Sequence, residues 1–151
     1  MKNSYEIINK WVSHKTPQLK ENKIGLIISL VNNGVFPGLC VSKSLNLPLS
    51  FFTTEQGQIF LPHNKQVNSI LALSKYEQTI LLCFDHVSRK NQGDILAAQK
   101  FLTDFNASYK TLTITQDKDV NIKIDYCFNE KEIKEQQEED LFVKFQNCTF
   151  I

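Results

Sequence analysis

Apolar residues in this chain cluster into short dense runs separated by polar loops. The two densest are residues 24–31 (IGLIISLV) and 80–84 (ILLCF). Neither has a polar face, which suits strands covered on both sides in the middle of a parallel sheet. Residues 49–53 and 58–61 read as two more strands around a Glu55-Gln56-Gly57 turn, and residues 111–115 as another. Val120, Ile122, Ile124, Tyr126 and Phe128 alternate with polar neighbours, predicting a half-buried strand. Residues 141–145 (LFVKF) predict a short closing strand.

Between these runs the period changes to that of a helix. Ile7, Ile8, Trp11 and Val12 share one helical face, with Asn3 and Glu6 spaced as a capping box. Pro37 suits the first turn of a helix ending near Leu45. Residues 63–74 are moderately helical, and Ile95, Ala98, Phe101, Leu102 and Phe105 form an inner stripe. Residues 130–140 are charged and permit a helix without an apolar face. Strands alternating with helices imply an α/β fold with a mainly parallel sheet. No repeat or Pro/Gly linker divides the chain, so residues 1–151 are expected to form one domain.

Composition narrows the class. The chain is 42% hydrophobic and 11% aromatic, which is globular rather than disordered. With 17 basic and 16 acidic residues it carries +1, so no basic field points to nucleic acid and no cluster to anionic lipid. No apolar run approaches the roughly 18 residues of a spanning helix, and the N-terminus lacks the apolar core of a secretory signal. Cys40, Cys83, Cys127 and Cys148 are far apart, flanked by apolar residues and without a C-x-x-C pair. They read as buried thiols in a reducing compartment, and the protein as cytoplasmic. His14, His63 and His86 lack the spacing of metal ligands.

Candidate chemistry lies in two loops, because ligands of open α/β sheets bind at the carboxyl ends of the strands. One is Asn32-Asn33-Gly34, after the first dense run. The other is residues 85–93, where an acid, Asp85, and a glycine, Gly93, lead from the second run into a helix. A helix N-terminus after such a loop offers N–H groups to a phosphate. Arg89 and Lys90 either face that phosphate or form a solvated edge. His86 is a candidate base, since its ordinary pKa lies near neutrality, or simply the cap of a buried strand.

These loops resemble motifs of the type I phosphoribosyltransferases, most nearly the purine enzymes of the xanthine-guanine and hypoxanthine kind. Residues 29–49 (SLVNNGVFPGLCVSKSLNLPL) are similar to their pyrophosphate loop and following helix, and residues 80–102 to their ribose-phosphate motif. TLTITQDKD, then IDY, then LFVKF follow the family's C-terminal order. The resemblance spans residues 5–147 and implies a central parallel sheet with a small hood, formed mainly by residues 116–151. It implies transfer of a 5-phosphoribosyl group from its pyrophosphate donor to a purine in salvage, with magnesium and no tightly bound cofactor. It also implies a homo-oligomer, often a dimer.

By the same resemblance Asp85 steadies the ribose and helps place magnesium. Arg89, Lys90, Asn91, Gln92, Gly93 and Asp94 surround the 5′-phosphate, Asn32, Asn33 and Gly34 hold pyrophosphate, and Phe142 stacks on the base. Phe142 reads more readily as a core residue of a terminal strand, and Tyr126 as packing with its hydroxyl at an edge. Several positions depart from the family pattern. His86 replaces a second acid, and an imidazole cannot replace a carboxylate near a hard cation. Asn32 replaces a basic residue, and Asn33 a glycine, with Asn tolerating the left-handed backbone expected there. Asp94, near the helix N-cap, puts negative charge where phosphate docks. At the strand end after the motif helix, Thr115 and Gln116 stand where the family has a base-reading lysine, with Lys118 just beyond.

Two readings follow. In one the fold is retained while catalysis is impaired or lost, leaving a nucleotide- or phosphate-binding or interaction protein. In the other the chain is an active purine phosphoribosyltransferase. An unrelated flavodoxin-like domain would share the sheet but not the C-terminal order.

Overall fold

The computed structural model describes residues 2–55, 58–60, 68, 70, 72 and 77–133. Its elements run α1 (Lys2–Glu21), β1 (Ile24–Leu30), α2 (Val35–Leu45), β2 (Leu49–Glu55), β3 (Gln58–Phe60), β4 (Thr79–Val87), α3 (Gln92–Asp104), β5 (Tyr109–Gln116) and β6 (Tyr126–Cys127). The sheet order is β3-β2-β1-β4-β5-β6. β2, β1, β4, β5 and β6 are all parallel, and β3 pairs antiparallel with β2 at the edge. This is the expected α/β architecture.

Both dense runs are central. Seven-residue β1 lies between β2 and β4, and alternate side chains enter different layers. Leu26, Ile28 and Leu30 pack with Ile80, Leu82, Phe84 and the α3 residues Ile95, Ala98 and Leu102. Ile27, Leu81 and Cys83 pack on the other face with Trp11 and Val12 of α1 and Cys40 and Val41 of α2. Every position of such strands meets apolar atoms, so the runs carry no polar period. Fully burying one such side chain contributes about 1.5–3 kcal/mol.

Several local expectations are corrected. β4 does not stop at Phe84. Because β5 continues beside it to Gln116, the pairs His86↔Thr115 and Val87↔Gln116 extend the ladder and put Asp85 and His86 inside the strand. Residues 120–125 alternate in burial, yet only Tyr126 and Cys127 form a strand there. Side chains take ladder positions instead: Gln116 Nε2 donates to the Val120 and Ile122 carbonyls at 3.1 and 2.8 Å. Thr111 N–H donates to the Asp125 carboxylate at 2.9 Å, and Asp125 N–H to the Thr111 hydroxyl at 3.0 Å.

α1 begins before Asn3, which therefore lies within the helix rather than capping it. Cys40 and Cys83 are buried, but Cys127 is exposed, since on short edge strand β6 it points away from the buried Tyr126. The closing strand, the C-terminal part of the hood and Cys148 lie outside the described residues. Among the described residues no helix is long and apolar enough to cross a membrane.

Candidate functional site

The carboxyl ends of β1 and β4 are neighbours, so the two candidate loops meet. The chain leaves β1 in a tight turn closed by Asn33 N–H to the Leu30 carbonyl at 3.1 Å. The Asn33 side chain, 9% exposed, then reaches across to β4. Its Oδ1 accepts from the N–H groups of Asp85 at 2.9 Å and His86 at 3.0 Å, and its Nδ2 donates to the His86 carbonyl at 2.9 Å. An amide suits this place because one small group supplies both acceptor and donor.

Asn33 does not adopt the left-handed backbone expected of it; that falls to Gly34, at φ +130°. A Cβ on Gly34 would lie 2.0 Å from the Cys83 carbonyl oxygen, so only glycine fits. Gly34 N–H donates to the Asp85 carboxylate at 3.0 Å. The Asp85 carboxylate therefore sits at the start of α2, where the helix dipole favours negative charge. Further along, Gly38 lets α2 lie on β1, since a Cβ there would come within 1.9 Å of the Ser29 hydroxyl. Exposed Asn32 forms the outer part of the turn.

Beyond β4 the turn into α3 is organised by Asn91. Its Oδ1 accepts from Ser88 N–H at 2.8 Å, and its Nδ2 donates to the His86 carbonyl at 2.6 Å. Asn91 is the N-cap residue, so Asp94 lies in the first turn of α3, inside the helix and not at its cap. Gln92 opens the helix, and Gly93 follows in open space, with nothing within 4 Å of an added Cβ. Arg89 and Lys90 are exposed on the turn.

A third strand end joins these two. The His86 ring is held between the Thr115 hydroxyl, at Nδ1, and Asp117, whose Oδ1 lies 3.0 Å from Nε2. Arg89 Nε lies 2.8 Å from Asp119 Oδ2. Asp117 N–H donates to the Val87 carbonyl at 2.9 Å, carrying the β4–β5 pairing into the loop. Asp117 and Asp119 are the participants that sequence reasoning missed. Their only signal is the acid pair in QDKD directly after a strand, a pattern that a solvated turn shares.

Of the base-pocket candidates, Gln116 is occupied by the Val120 and Ile122 carbonyls, and Lys118 is exposed. Tyr126 is buried, with its hydroxyl accepting from Asn22 Nδ2. Phe142 lies outside the described residues. Asp85, His86, Asn33, Gly34, Arg89 and Asn91 are thus brought together around the ends of β1 and β4.

No group of three His, Cys, Asp or Glu side chains converges to hold a metal among the described residues. Asp85 alone would meet a magnesium ion carried by a polyphosphate ligand, a mode in which one carboxylate suffices. A cavity of about 360 Å³ lies elsewhere, between α3 and residues 121–125, with Leu96, Tyr109 and Lys123 on its walls.

No family model and no curated protein sequence matches the chain. Solved structures do. The hypoxanthine phosphoribosyltransferase of Trypanosoma cruzi superposes with a TM-score of 0.62 at 15% identity, covering 82% of this chain and 76% of that one. A purine phosphoribosyltransferase from Pyrococcus horikoshii gives 0.57 at 14% identity, with 80% of each chain covered. A hypoxanthine phosphoribosyltransferase from Staphylococcus aureus gives 0.58 at 12% identity, covering 82% and 72%. The chain has the type I phosphoribosyltransferase fold.

Proposed function

We propose that this protein keeps the phosphoribosyltransferase fold without ordinary phosphoribosyl transfer, acting as a weak binder of phosphate or nucleotide or as an interaction module. One observation carries the reading: Gly34 N–H is bonded to the Asp85 carboxylate at 3.0 Å. Transfer from a pyrophosphate donor needs free N–H groups or cations where negative charge gathers on the leaving group. It also needs a carboxylate free for the ribose hydroxyls and magnesium. Here that N–H is taken by Asp85 Oδ2, while the carboxylate keeps its other oxygen, so the loss falls on the pyrophosphate side. Asn33 N–H is likewise engaged, by the Leu30 carbonyl. His86, in the place of a second acid, is held by Thr115 and Asp117.

The second reading, an active purine phosphoribosyltransferase with Asp85 and magnesium in the donor site, is favoured by the names of the similar solved structures. In that reading the base-stacking role falls to Phe142, and the protein works as a homo-oligomer. Incubation with phosphoribosyl pyrophosphate, magnesium and each of guanine, xanthine and hypoxanthine separates the two. The expected result is no nucleotide product and no magnesium-dependent rise in melting temperature with the donor. A ligand at a hundred times its dissociation constant would stabilise the fold by about 2.7 kcal/mol, a readily measured shift. Nucleotide formation that disappears in Asp85→Ala would overturn the proposal.

A further inference from the structure

The loop after β5 is tied to the end of β4 by the contact of His86 Nε2 with Asp117 Oδ1 at 3.0 Å, and to the turn that follows by the Arg89–Asp119 ion pair at 2.8 Å. Asp117 N–H also bonds to the Val87 carbonyl, so this loop is anchored beside β4. We infer that Asp119 is an autoinhibitory strap: its carboxylate occupies the Arg89 guanidinium that a phosphomonoester at the β4–α3 turn would otherwise engage. The inference rests on the proposed reading of the protein as a phosphate binder, and it places that phosphate at the β4–α3 turn.

A guanidinium pairs with carboxylate and phosphate oxygens through the same N–H groups, so the two anions compete for one partner. The side chains of Arg89 and Asp119 are 76% and 54% exposed, so the pair opens into water without disturbing the core. An exposed pair of this kind favours its closed form by a factor of about two to five. That is enough to weaken a phosphate ligand measurably and too little to prevent its binding. Asp117 positions the strap through His86 and the Val87 carbonyl; Asp119 makes the competing contact.

The test is equilibrium binding of ribose 5-phosphate at low ionic strength, followed by amide chemical shifts in the native chain, Asp119→Asn, Arg89→Gln and the double variant. Asp119→Asn is expected to tighten binding about two- to fivefold. In the Arg89→Gln background the same substitution is expected to change affinity by less than about twofold, because the competing partner is gone. An unchanged affinity in Asp119→Asn overturns the strap. So does an equal gain with and without Arg89, which would mark a general effect of removing negative charge. This readout involves no catalysis, so nucleotide formation would overturn the silent reading while leaving the strap to be judged by its own cycle.

Discussion

Replacing Asn33 by Ala removes the side chain that fastens the first loop to β4. Two N–H groups, those of Asp85 and His86, lose their acceptor. The His86 carbonyl loses one donor but keeps Asn91 Nδ2 at 2.6 Å, so its loss counts for little. At about 0.5–1.5 kcal/mol for each of these two part-buried hydrogen bonds, whose donors water can still reach, the substitution costs about 1–3 kcal/mol. For a chain of this length, that lowers the melting temperature by about 2–12 °C. Urea denaturation and thermal melts followed by circular dichroism measure both quantities.

Asn33→Gly supplies the sharper comparison. It loses the same hydrogen bonds and adds up to about 1 kcal/mol of backbone entropy, because Asn33 does not need a positive φ. The expected order of stability is native, then Ala, then Gly. A Gly variant at least as stable as Ala would refute the reasoning, since the position would then be selecting backbone freedom rather than an amide. A loss under about 0.5 kcal/mol in Asn33→Ala, within the range of ordinary surface changes, would refute it too.

Two further predictions concern buried groups. Ser29 Oγ is buried without a hydrogen-bond partner and lies where a Gly38 Cβ would point. Ser29→Ala is therefore expected to be neutral or stabilising, and Gly38→Ala to cost several times less in that background than alone; additive effects in chemical denaturation would exclude the contact. Burial, with the Asp85 charge and then Cys40 adding to it, raises the Cys83 pKa above the ordinary thiol value of 9.0. Desolvation also raises those of Cys40, Tyr126 and, although it is exposed, Cys127, whose contributions are smaller. The native state then holds protons that the unfolded chain releases, so this contribution is fully present below pH 9 and is lost as pH rises above it. For fully buried Cys83 the slope is up to about 1.4 kcal/mol per pH unit, and Cys83→Ala is expected to flatten the urea midpoint between pH 9 and 11; an unchanged slope would exclude Cys83 as a source.

The sequence by itself determined the α/β class, the two central strands and the loops in which to look. Runs such as residues 24–31 and 80–84 have no polar face, and only burial on both sides accommodates them. It also marked the turn at Asn33-Gly34 and the helix that follows, but not that the positive φ falls on Gly34, where the Cys83 carbonyl of β4 leaves no room for a Cβ. Only the tertiary structure decided what the polar residues of those loops do. Asn33, Asp85, His86 and Arg89 read as ligand-facing groups while their surroundings are unknown, because each has unused donors or acceptors in the isolated motif. Folding places residues 51–53 positions apart within hydrogen-bond distance, and β5 brings Thr115, Asp117 and Asp119 alongside. A polar group finds its partner through space, so a motif read along the chain cannot reveal that the partner comes from the protein itself.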